Sequence, residues 1–217
     1  MTALIGYQLA TLARSQRWVG PLITYLAVLG FVYESDAGPA VIAFGVTGYA
    51  LFVVCAWLTA ATLSAENEIA REVTAATTGS QVRVQVATLS AAIAGGLVLA
   101  AIAVGWALVA NPAHTSGVKA VAGGFALHAV FALLGIAVGA VFGRPLVNAP
   151  GQAALGIIAV AMLALVVPHS PVLACLRVLE NNPAREFSRQ LAPTLAVLLA
   201  VSAGGLACSL VRTRGRS

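Results

Sequence analysis

Few residues of this chain carry chemistry, and they are scattered. The histidines are His114, His128 and His169, and the cysteines are Cys55, Cys175 and Cys208. No CxxC is present and no His/Cys spacing suits a metal, so the reading is that no metal is bound. Isolated apolar-flanked thiols behave as small hydrophobes. The acids are Glu34, Asp36, Glu66, Glu68, Glu72, Glu180 and Glu186, and none lies inside an apolar run. A carboxylate pair for acid–base work is therefore missing. So is the midplane acid usual in proton- or sodium-coupled carriers. No GxxxxGK[ST] phosphate loop exists, and ATP, if used, is bound by another chain. Of the three histidines, only His128 lies within an apolar run. It is a candidate for a substrate path or, with a partner such as Met162, for haem ligation. A neutral imidazole bonded to a neighbouring helix accounts for it equally well.

The elements that must position these residues are apolar. Hydrophobic residues make up 60% of the 217 and charged residues 9%, against roughly 25% charged in soluble domains. Mean hydropathy is +0.95. Six runs approach the length of about 20 residues that a bilayer demands. They are 18–33, 39–64, 84–110, 119–142, 152–167 and 193–211. None alternates as a barrel strand would, so the fold class is an all-α membrane protein with six transmembrane helices in one permease-like domain, 1–217. Ahead of them, Ala3–Trp18 lacks a signal peptide's order of charge, apolar core and cleavage site. Ile5, Leu9 and Leu12 recur at helical spacing opposite Thr11, Arg14 and Arg17, which predicts a helix lying in the interface.

Basic residues set the orientation. With the N-terminus inside, the inner segments hold Arg14, Arg17, Arg71, Arg83, Arg144, Arg212, Arg214 and Arg216. The outer ones hold Lys119, Arg177, Arg185 and Arg189. Eight inside against four outside places both termini in the cytoplasm. The net charge of +5 reflects that bias, and no basic stripe with interleaved aromatics points to nucleic acid.

Two linkers and one span carry further signals. Ala65–Arg83 begins AENEIARE, a run of good helix formers carrying Glu66, Glu68, Arg71 and Glu72. Gly79 can end that helix and Ser80 can cap the next. The segment reads either as a docking knob for a partner or as a solvated connector. The fifth linker, His169–Ala192, is too apolar for a solvated loop. Ser170-Pro171 and Asn182-Pro183 are helix-start signals, and Val172, Leu173, Leu176 and Leu179 give the first piece an apolar side. A short outer helix over Pro171–Leu179 follows, with Arg177 reaching headgroups or water. In the fourth span, Gly135, Gly139 and Gly143 form a close-packing stripe, toward this chain or a second copy.

In this order of elements the chain resembles the permease subunits of ABC type-2 exporters. The resemblance rests on the amphipathic lead-in Ala3–Trp18, the first cytoplasmic linker ENEIAREVTAATTGSQVRVQVATLSAA, and the SPV-containing outer linker before the last span. It covers nearly the whole chain through loose motifs. Gly79-Ser80 stands where the family commonly has a proline. The resemblance implies that Glu66, Glu68, Arg71 and Glu72 lie on a coupling helix that docks on an ABC ATPase. It also implies that Pro171, Leu173, Leu176 and Arg177 help roof the path, and that a second permease subunit completes it. On this reading the chain is no enzyme by itself, holds no cofactor, and leaves ATP and magnesium to its partner in a bacterial cytoplasmic membrane. A path without charge suits an apolar or amphipathic cargo such as a lipid, drug or peptide. The competing expectations are a redox or haem subunit using His128 and a structural subunit of a membrane complex.

Overall fold

The computed structural model describes residues 1–34, 37–66, 68–115, 117–143, 147, 149–167 and 211. Among them the regular structure is helical: α1 (Thr2–Ser15), α2 (Val19–Val32), α3 (Ala40–Leu63), α4 (Glu68–Thr78), α5 (Gln81–Ala110), α6 (Pro112–Thr115), α7 (Val118–Phe142) and α8 (Pro150–Val166). The expected sixth span and the outer linker, with Pro171, Leu173, Leu176 and Arg177, lie outside the described residues apart from helical Val211.

Among the described residues, three helices are long and apolar enough to cross a membrane: α3, α5 and α7, of 24, 30 and 25 residues. At 1.5 Å per residue each exceeds the hydrocarbon thickness of about 30 Å. The first and fifth expected spans are shorter, with 14 residues in α2 and 17 in α8. By the same arithmetic they rise about 21 and 25 Å. Pro150 at the first position of α8 fixes where that helix starts.

Contacts between helices set their directions. Positions along α7 meet positions of rising number along α3: Gly124 with Phe44, Gly135 with Phe52, Gly139 with Ala56 and Gly143 with Leu63. These two helices therefore run parallel. Gly20 faces Trp57 while Tyr25 bonds to Thr47, so α2 runs against α3. Tyr49 bonding to Ala161 while Ile157 packs with Ala56 and Ala60 gives α8 the same sense as α2. Gly95 beside Leu58, with Asn111 past the end of α5 bonded to Gly38 ahead of α3, sets α5 against α3. Directions alternate along the chain, as successive membrane crossings require. One end of the bundle carries α1, α4 and the start of α5. The opposite end carries Gly38, Asn111 and α6, tied by Asn111 Nδ2 donating to the Gly38 carbonyl at 3.1 Å.

Helix α3 is the centre. It packs on α2, α5, α7 and α8, and Phe44, Leu51, Phe52, Phe131 and Leu127 fill the interior around it. The outer surface is also apolar, with Ile23, Phe31, Val98, Val109, Leu155, Ile158 and Val166 exposed. Helices apolar on every side suit a bilayer, whereas exposed apolar area on this scale is unusual for a soluble monomer.

Two boundary expectations hold at the α4–α5 junction. Gly79 leaves α4 at φ +71°, and the Ser80 side chain accepts from the Arg83 amide to cap α5. A proline, with φ near −65°, could not take Gly79's conformation. The expected helix ahead of the first span is present as α1, with one difference in the facing of its apolar residues. Leu12 is buried, but Leu9 is 39% exposed and Gln8 is buried. The helix packs on α5, and Gln8 has an internal partner that draws it inward.

Candidate functional site

Two polar constellations stand out in this apolar body, one inside the bundle and one at its α4 end. The inner one holds His128. Its Nδ1 lies 2.7 Å from the Gly124 carbonyl on its own helix, and its Nε2 lies 3.0 Å from the Thr47 hydroxyl on α3. A carbonyl only accepts, so Nδ1 carries the proton and the neutral ring's Nε2 accepts from Thr47. That hydroxyl also lies 2.8 Å from the Ala43 carbonyl. Tyr25 of α2 reaches the Thr47 carbonyl at 3.4 Å. Phe44 closes the pocket with its ring edge-on to the imidazole, centroids 5.6 Å apart. Both ring nitrogens are thus occupied within the chain, and the side chain has no exposed surface. Met162, on α8, is 59% exposed. The arrangement is a clamp between α3 and α7. It joins the two helices through a side chain that the chain itself encloses.

The glycine stripe works on the same seam. A Cβ at Gly135 would run into the Phe52 carbonyl, one at Gly139 into the Ala56 carbonyl, and one at Gly143 into the Leu63 side chain. All three face α3 of the same chain. Close approach of two backbones is what small residues four apart provide in a membrane. Cys55 is buried on this seam, against Gly96 and Gly135.

The outer constellation centres on Glu66, just past α3. The residue is only 7% exposed. Tyr7 donates to it at 3.1 Å, Gln8 at 3.4 Å and Thr74 at 2.7 Å. Three neutral donors from α1 and α4 thus converge on one anion, and hydrogen bonds to a charged group are the stronger kind. Glu66 binds α1 and α4 together at the foot of α3. The Arg71 guanidinium donates to Gln85 Oε1 at 2.8 Å and ties α4 to the first turns of α5. Arg83 donates back to the Thr78 carbonyl at 3.3 Å. An open cleft of about 850 Å³ lies between α1 and α4, with Leu4 and Tyr7 on one wall and Val73 and Thr77 on the other.

The four residues implied as coupling residues therefore divide. Glu66 and Arg71 are turned to the chain itself, and Glu72 is exposed. The side chain of Glu68 is outside the described part. The outward stripe of α4 is Ile69, Glu72, Val73, Ala76 and Thr77. Those positions follow the i, i+3, i+4, i+7, i+8 spacing of a single helix face. Ile69 is 75% and Val73 58% exposed. Sequence reasoning put weight on the charges and passed over these two aliphatics, although their four-residue spacing was visible. It also missed Tyr7, Gln8 and Thr74. Nothing local in the sequence marks Tyr7 and Gln8 as partners of an acid 59 and 58 residues away, or Thr74 as a partner of one 8 residues away.

Fold and site define an all-helical protein whose long apolar helices fit a bilayer, with a small amphipathic helix held at one end. In comparisons with known proteins the chain matches no family model, no curated protein and no solved structure.

Proposed function

We propose that this chain is the membrane-embedded permease subunit of an ATP-driven exporter of the ABC type-2 kind, with α4 as the helix that receives the motion of a separate ATPase. The observation that carries the reading is the outward stripe of α4. Two large aliphatic side chains one turn apart, flanked by Glu72, stand on a helix whose other side is fastened to α1, α3 and α5. An amphipathic helix with exposed i and i+4 anchors suits a groove on a partner. Its fastening through Glu66 and Arg71 suits transmission of force into the bundle. The alternating directions of the five described apolar helices and the arginines at the α4 end are consistent with six crossings with that end in the cytoplasm. The reading also expects a second permease subunit and an apolar or amphipathic cargo.

The test is a double substitution, Ile69→Asp with Val73→Asp, in the full chain. Each aliphatic anchor is worth roughly 1.5–3 kcal/mol when buried, so the pair should weaken docking by at least about 100-fold. An exposed charge such as Glu72 contributes about 0–1 kcal/mol, and its reversal should matter less. ATP hydrolysis that co-purifies with the tagged chain from its own membranes should be lost, with the folded chain still inserted. Undiminished co-purifying hydrolysis in the double variant would defeat the coupling assignment.

A further inference from the structure

At the α4 end of the bundle, beside the proposed coupling region, α3 and α8, with Arg17 ahead of α2, leave a groove of about 570 Å³. Its floor and walls are apolar, formed by Val53, Trp57, Ile157 and Ile158 among others, and its rim carries Arg17 and Ser64. Arg17 sits just before α2, and its Nη1 donates to the Ser64 carbonyl at 2.5 Å. That bond fixes the guanidinium at the groove mouth. A guanidinium has five N–H donors arranged as a fork that suits phosphate. The side chain is exposed.

We propose that this groove binds one anionic phospholipid of the surrounding bilayer, with its phosphate on Arg17 and one acyl chain lying along Trp57 toward Val53. Three observations converge on that occupant. The groove is polar at one end only, the order a phospholipid presents. From Ser64 to Val53 along α3 the rise is about 16 Å, close to the roughly 15 Å of hydrocarbon in one leaflet. Arg14 and Arg83 lie at the same end of the bundle, and clustered arginines at a membrane surface favour lipids of net negative charge. The inference rests on the helices crossing a membrane and does not depend on the ATPase.

The experiment uses Trp57 fluorescence in full-length chain carrying Trp18→Phe and Trp106→Phe. A matched variant keeps only Trp106, which is 40% exposed near the opposite end. Both are placed in phosphatidylcholine vesicles containing either brominated-acyl phosphatidylglycerol or brominated-acyl phosphatidylcholine at equal mole fraction. The expected result is a preference of roughly fivefold for phosphatidylglycerol at Trp57 and no preference at Trp106. Arg17→Gln should abolish the preference, and Arg17→Lys should keep part of it through charge alone. Equal quenching of Trp57 by both lipids overturns the proposal, because the groove then holds only ordinary boundary lipid. Quenching of Trp106 with Trp57 shielded overturns it too, since a protein surface then covers the groove. Absence of quenching at both tryptophans overturns the membrane reading itself.

Discussion

Gly139 and Gly105 show how differently one residue type behaves in this chain. A Cβ at Gly139 would meet the Ala56 carbonyl, whereas at Gly105 it would meet nothing within 4 Å. Gly139→Ala should force α3 and α7 apart and destabilise the fold by about 1–3 kcal/mol, the range for overpacking. Gly105→Ala in the helix interior should be neutral or stabilising by about 0.5–1 kcal/mol. Thermal unfolding of the two variants in one detergent checks the contrast, and equal midpoints would refute the parallel α3–α7 seam. The His128 clamp is argued at the same scale. Thr47→Val removes one hydrogen bond, and such bonds in membranes average about 0.6 kcal/mol. His128→Ala removes a whole buried ring and leaves a cavity, which costs roughly 2–5 kcal/mol by analogy with other buried truncations. The alanine variant should therefore unfold at clearly lower temperature than the valine variant. A functional loss in Thr47→Val without any loss of stability would instead give His128 a role in transport.

Among the helices, the junction of α1, α3 and α4 makes the sharpest expectation. Glu66 is the one acceptor on which Tyr7, Gln8 and Thr74 converge. Glu66→Leu strands two of these donors in a largely buried site, and a hydrogen bond to a charged group is worth about 1.5–3 kcal/mol. Docking of α1 should weaken by about that much. Hydrogen exchange should quicken through α1 and α4 while the α3 and α7 amides stay protected. Slow exchange retained in α1 would mean that its packing on α5 suffices. The same geometry explains why a triple charge reversal of Glu68, Arg71 and Glu72 is a poor probe of docking. Arg71 holds α4 to Gln85, so its loss would loosen α4 whether or not a partner binds. The aliphatic pair Ile69 and Val73 separates the two effects.

For the molecule as a whole, the register of α3 against α2, α5, α7 and α8 fixes which loops share an end. Thr77 on α4 and His114 on α6 are both exposed, at opposite ends. In a chain whose native cysteines are replaced by serine, an impermeant thiol reagent on intact cells should label His114→Cys and leave Thr77→Cys unlabelled. Labelling of both positions, or of Thr77→Cys alone, contradicts the orientation drawn from the arginines.

Hydropathy by itself determined where the five described apolar helices lie and roughly where they end, because a residue's transfer free energy into lipid is local and additive along a run. Turn chemistry was equally legible: Gly79 and Ser80 marked the α4–α5 boundary through their own backbone and side-chain preferences. Gly135, Gly139 and Gly143 announced a packing face, but their spacing is the same whether the neighbour is α3 or another subunit. Only the fold assigned them to Phe52, Ala56 and Leu63. It likewise turned His128 into a clamp with Thr47, and Glu66 from an outward charge into an inward hub. Those outcomes depend on residues far apart in the chain meeting across helices. The sequence carries each partner but not the rotation of one helix against the next that brings them within hydrogen-bond distance.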